Sequence, residues 1–247
     1  MYGFLLTTIA GLSTMLGTFL IFIPFRNKDH IINGALCFAA GVMITVSLTD
    51  LIPEGMKLLA NHFFLVPTIL IGLIFIVLGL ILSMLIDDLL PTDFKKQGKG
   101  LYRIGIFSML AIILHNIPEG IATFMATHDN LTLGFSLAIA IALHNIPEGI
   151  SISIPIYYGT GNKKKSLLYT FISGISEPFG ALLAFWFLSP FINDFMMGIL
   201  FSMIAGIMLH IASYELLPGA LKYQNKRIST LAFLAGCIIM IVSHFIF

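Results

Sequence analysis

The sequence predicts an all-α integral membrane protein of eight transmembrane helices, arranged as a 3+2+3 inverted repeat with both termini extracytoplasmic. Three observations carry that prediction: the composition, the spacing of the apolar stretches, and two internal repeats. Of the 247 residues, 58% are hydrophobic and only 10% are charged, with a mean hydropathy of +1.00, far from the balance of a water-soluble domain. Crossing the hydrocarbon of a bilayer takes about 20 mainly apolar residues in a helix. Eight stretches meet that length, at about residues 2–25, 32–55, 63–86, 101–125, 131–158, 166–189, 195–218 and 228–247. The connections between them are short, so residues 1–247 are expected to form one transmembrane domain.

The first segment, from Tyr2 to Phe25, has no basic residue before it and no small-residue cleavage pattern after it, so it is expected to persist as a helix rather than serve as a signal peptide. Basic residues cluster in alternate connections, and they favour the cytoplasmic side. Arg26 and Lys28 follow segment 1, and Lys95, Lys96, Lys99 and Arg103 lie between segments 3 and 4. Lys163 to Lys165 follow segment 5, while Lys222, Lys226 and Arg227 follow segment 7. These are 12 of the 13 basic residues, Lys57 being the exception. Cys37 and Cys237 are far apart in apolar segments, a pattern of small core residues rather than of a disulfide or thiolate cluster. A net charge of +1 gives no reason to expect a nucleic-acid partner.

The heptapeptide HNIPEGI occurs twice, at His115 to Ile121 in segment 4 and at His144 to Ile150 in segment 5. A second pair links segments 2 and 7. Ala40-Gly41-Val42-Met43, followed by Asp50 and Pro53, matches Ala205-Gly206-Ile207-Met208, followed by Glu215 and Pro218. By the charge argument each pair is antiparallel across the membrane, so segments 1–3 pair with 6–8 and segment 4 with 5. Such inverted repeats let one buried site be opened from either side by exchanging the conformations of two halves.

Charged groups deep in a bilayer cost roughly 2.5–3.5 kcal/mol each on insertion scales and usually face a cavity with a task. His115 and Glu119 are four residues apart on segment 4 and share a face, with Asn116 beside them; His144, Asn145 and Glu148 repeat the set on segment 5. Glu177, in Gly174-Ile175-Ser176-Glu177-Pro178, falls in the middle of segment 6. Neutral imidazoles with carboxylates suit Zn2+ and its first-row neighbours, and the lack of thiolates argues against Cu(I). A dication would also neutralise three glutamates that have no Lys or Arg in any segment centre. Pro118 and Pro147 each free a carbonyl one turn earlier, which is tolerable only beside a cavity. Met43 is open between soft ligand and core packing. Asp50, Glu54 and Glu215 lie nearer segment ends, and for Asp50 and Glu215 a gate or relay role stands beside simple hydration. His62, His128 and His244 are expected to be solvated at outer positions, and His210 to be packed inside segment 7.

These residues resemble the ZIP family of divalent-metal transporters, in its bacterial zinc-uptake branch. The resemblance runs over nearly the whole chain: Phe38 to Met43, both HNIPEG copies, Gly174 to Glu177 and Ala205 to Glu215. It implies transport toward the cytoplasm. It also implies one metal near Met43, His115, Glu119, His144 and Glu148, and a second near Asn116, Glu119, Asn145, Glu148 and Glu177, with Glu119 and Glu148 shared. The chain departs from the family pattern at two points. Asn145 stands where some members carry a carboxylate, and residues 87–103 contain no His where many members have a His-rich loop.

Two functions are therefore carried forward. The first is a secondary transporter in the inner (plasma) membrane, moving Zn2+ above all and also Fe2+, Mn2+, Co2+ and Cd2+. It would use the metal as substrate and no cofactor, with the lipid bilayer and a second copy of the chain as the partners considered. No P-loop is present, and a 100 mV potential already favours dication influx by about 4.6 kcal/mol, twice the single-charge value. The alternative is an intramembrane zinc-dependent hydrolase, for which the sequence offers a possible base but neither an H-E-x-x-H motif nor a use for the repeats.

Overall fold

A computed structural model describes residues 2–89, 100–188 and 193–246. Lys95, Lys96, Lys99, most of the His-free connection and Phe247 lie outside the described residues. Eight helices are long and apolar enough to cross a membrane: α1 Tyr2–Phe22, α2 Lys28–Ala60, α3 Leu65–Asp88, α4 Gly100–His128, α5 Leu131–Thr160, α6 Lys163–Trp186, α7 Asp194–Leu221 and α8 Lys226–Ile246. The spans follow the apolar stretches, but several reach further into polar sequence than hydropathy alone suggests. The reason is capping. Asn27, Asn130, Asn162 and Asn193 each accept backbone N–H groups at the start of α2, α5, α6 and α7, satisfying donors that a helix end otherwise leaves open.

Burial separates the helices into inner and outer members. In α2, α4 and α5, 67% of the apolar window is buried, against 22% in α3 and α8, so the latter two lie at the outside of the bundle. Contacts also fix relative directions. Asn33 meets Ser229, Gly41 meets Cys237 and Asp50 meets His244, in step along the chain, so α2 and α8 run parallel. Gly105 meets Ile156 while Gly134 meets Thr127, so α4 and α5 form an antiparallel hairpin.

The inverted repeat is visible in how backbones cross. A Cβ on Gly41 would come 2.3 Å from Phe233 O, and one on Gly236 would come 2.3 Å from Phe38 O. The same reciprocal contact joins α3 and α7, where Gly206 faces Ile76 O at 2.0 Å and Gly79 faces Met203 O at 1.9 Å. Phe38 to Gly41 thus corresponds to Met203 to Gly206, and Ile76 to Gly79 corresponds to Phe233 to Gly236. Only a residue without a side chain admits such an approach.

Among the described residues, every glycine contact with another helix's backbone stays within α1, α4, α5 and α6 or within α2, α3, α7 and α8. The chain is therefore two interlocked four-helix groups. Between them lie side chains, including Ile104 of α4 against Gly219 of α7, and much of the main apolar core. The π-helical turns Ser47–Leu51 in α2 and Ile211–Leu216 in α7 occupy matching places in the repeat. They precede Pro53 and Pro218, whose missing N–H groups the wider turn accommodates.

Candidate metal centre

Helices α4 and α5 cross at their repeated motifs, and this crossing assembles the site. Gly120 lets α6 pack closely against α4 there, a Cβ on it lying 1.9 Å from Glu177 O; Gly149 does the same for α1 against α5, 1.9 Å from Thr14 O. Both helices continue through Pro118 and Pro147. His115, Asn116, Glu119, His144, Asn145, Glu148 and Glu177 are all buried, none more than 8% exposed.

Ligand atoms of His115, Glu119 and His144 all lie within 4.8 Å of one another. Glu119 Oε1 is 2.8 Å from His144 Nε2 and 3.2 Å from His115 Nε2, and Glu148 Oε1 is 3.4 Å from the same His115 nitrogen. The four side chains that the two HNIPEG motifs supply are thus brought face to face. Glu177 joins them through Asn145, whose Nδ2 donates to Glu177 Oε2 at 2.8 Å.

The two asparagines are held in the same way. Asn145 Nδ2 also donates to Ala10 O of α1 at 2.9 Å, and Asn116 Nδ2 donates to Ser173 O of α6 at 3.3 Å. With both amide nitrogens turned to main-chain carbonyls, both Oδ1 atoms are left without a protein partner. So are Glu119 Oε2, Glu177 Oε1, Glu148 Oε2 and His115 Nδ1. Buried polar atoms are normally hydrogen-bonded. A set of orphaned acceptors concentrated at one point has the chemistry to receive a cation.

Met43 is buried in the main apolar core of α2, in the same cluster as Ile150 and Ile154 of α5. His210 is packed inside α7 as expected, its Nδ1 2.8 Å from Ser83 Oγ of α3. His244 is about half exposed, as expected of an outer position, and its Nδ1 also lies 2.6 Å from Asp50 Oδ1. Glu215 is held by Arg103, with Nη1 at 3.1 and 3.3 Å from its two oxygens, and Arg103 Nη2 also bonds Asp87. Sequence reasoning took Arg103 only as a topology charge and gave Asp87 no role. The available signal was that Asp87 and His244 occupy the same position relative to the repeated glycines Gly79 and Gly236.

Eight apolar helices around a buried cluster of imidazoles, amides and carboxylates, with no Lys or Arg among its described partners, define a multi-pass membrane protein with a cation-receptive interior. Comparison with known proteins specifies which kind. The family model for the ZIP zinc transporters matches residues 91–244. The zinc transporter ZupT of Campylobacter jejuni is 40% identical over 273 residues, covering 97% of this chain and 94% of that protein. ZupT of Akkermansia muciniphila is 41% identical over 256 residues (97% and 95%), and that of Oceanobacillus iheyensis 40% over 257 residues (98% and 96%). The chain belongs to the ZIP zinc transporter family. That is a family of transporters, not of enzymes, so the hydrolase alternative is set aside.

Proposed function

We propose that this protein is a secondary transporter that carries divalent transition metal ions, Zn2+ first among them, across the membrane into the cytoplasm. The observation that carries the reading is the convergence of His115, Glu119, His144 and Glu148 with unsatisfied acceptors in a buried place. Among the described residues no Lys or Arg is paired with these three buried glutamates, and a dication would neutralise them. One ion would be held by His115, Glu119, His144 and Glu148, with Met43 as a further sulfur ligand. A second would be held by Asn116, Asn145 and Glu177 together with the shared Glu119 and Glu148. Nitrogen and oxygen donors of this kind also admit Fe2+, Mn2+, Co2+ and Cd2+.

The metal enters as cargo, and no cofactor is invoked. Relatives named zinc transporter support the substrate class. Residues 1–247 act as one transport domain in the bacterial inner membrane, with both termini outside the cytoplasm and a homodimer as its assembly. The test is Zn2+ flux into sealed proteoliposomes containing a trapped fluorescent indicator. Saturable influx, accelerated by a potential negative inside, is the expected result. Influx no faster than in protein-free vesicles would overturn the proposal.

A further inference from the structure

Two polar clusters outside the metal centre occupy matching places in the inverted repeat. Asp50 of α2 corresponds to Glu215 of α7, and His244 of α8 corresponds to Asp87 of α3. At one end of the molecule the first pair is complete in itself, Asp50 Oδ1 lying 2.6 Å from His244 Nδ1. At the other end the same two positions hold two acids, which repel. The missing cation comes from a third helix: Arg103, in the first turn of α4, reaches both Glu215 and Asp87.

The two clusters differ in burial and in what they join. Side chains of Asp50 and His244 are 37% and 48% exposed, and both belong to the group of α2, α3, α7 and α8. Arg103, Asp87 and Glu215 are only 13%, 20% and 11% exposed, so their charges have been taken out of water, which raises the strength of the attraction and the penalty for leaving any member alone. Arg103 also belongs to the opposite helix group. It lies on the same helix as His115, Asn116 and Glu119, roughly 18 Å from His115 at the rise of an α-helix. Between the two groups, α4 and α7 otherwise meet there through apolar side chains, such as Ile104 over Gly219.

We propose that Arg103, Asp87 and Glu215 form a gate: a buried ionic clasp that fastens the metal-bearing helix α4 to α3 and α7 and closes that mouth of the transporter. The clasp must part before an ion can pass on that side. The Asp50–His244 pair links helices of one group only and does not bar movement between the groups. This inference rests on the transport reading above, and its test reads mouth closure without using metal flux.

Ser83 supplies the reporter position. It is buried on α3, one turn from Asp87 toward the membrane interior, and Ser83→Cys is nearly isosteric. In protein with Cys37 and Cys237 replaced by Ala, a small membrane-impermeant thiol reagent is added to each face of sealed vesicles. With the clasp intact, Cys at 83 is expected to label slowly from both faces. Arg103→Gln should raise the rate at least about tenfold from the Arg103 face alone, and Glu215→Gln should raise it on the same face by a smaller factor. Unchanged rates in both variants, or equal acceleration from the two faces, would overturn the gate. Size-exclusion elution of each variant identifies any that fail to fold, and the two variants approach the clasp from different helices. Zn2+ influx by the parent protein in the same vesicles tests the transport reading separately.

Discussion

Glu119 and His144, on different helices, share a buried contact of 2.8 Å between Oε1 and Nε2, and the same carboxylate oxygen is 3.2 Å from His115 Nε2. One oxygen therefore lies between two imidazoles, and all three are among the ligands proposed for one ion. Because outer-shell partners of a metal already cost about 10- to 100-fold in affinity when removed, His115→Ala and His144→Ala should each raise the half-saturating Zn2+ concentration at least about tenfold. Initial influx rates across a Zn2+ series check this. An unchanged half-saturation in both variants would place the ion elsewhere.

Selectivity follows from the donor atoms. Apart from the proposed thioether of Met43 the cluster offers nitrogen and oxygen, and both cysteines are free and outside it, so discrimination rests chiefly on affinity order and geometry. Cd2+, Co2+ and Mn2+ are expected to compete with Zn2+ influx, Cd2+ strongly. Rejection of every ion but Zn2+ in competition assays would require a filter that this donor set does not provide.

Packing at the closest helix crossings is expected to be less forgiving than at a looser helix contact. A Cβ at Gly120 would lie 1.9 Å from Glu177 O, whereas at Gly34 its nearest neighbour is a methyl carbon of Ile228 at 3.5 Å. Gly120→Ala must force α4 and α6 apart, an overpacking cost of about 1–3 kcal/mol, and should lower the thermal midpoint in detergent by several degrees. Gly34→Ala should leave it nearly unchanged or raise it slightly, since Ala favours helix. Equal midpoints for the two variants would show that the crossing can relax.

Orientation rests on the basic connections. Cysteine introduced at Asn162, between α5 and α6, should resist an impermeant thiol reagent applied to intact cells, while His128→Cys should be labelled. The reverse pattern would invert the topology and the direction of the charge argument.

Much of the fold is legible in the sequence because lipid imposes a strong rule: each spanning helix must announce itself as a long apolar run. The duplicated HNIPEG motif pointed to the candidate metal centre because a polar set repeated in two apolar segments has no counterpart in ordinary core packing. What stayed hidden depends on distance rather than pattern. No periodicity says that Asn116 and Asn145 are turned by Ser173 O and Ala10 O so that their oxygens stay free. Nor does a basic residue near a loop reveal that it reaches sideways to Asp87 and Glu215, as Arg103 does. Nor does the sequence pair the exposed His244 with Asp50, which is nearly the whole chain away.

The central claim, that the ion passes through the crossing of α4 and α5, is tested most directly by Zn2+ uptake in Glu119→Gln and Glu148→Gln, normalised to the amount of protein in the membrane. Each substitution keeps the shape of the side chain and removes its charge, and neutralising a buried carboxylate eases insertion rather than hindering it. Uptake is expected to fall to background in both with expression unchanged, while Asn145→Ala, which removes only a neutral amide, should lose a smaller part. Near-normal uptake by both glutamine variants would contradict the account.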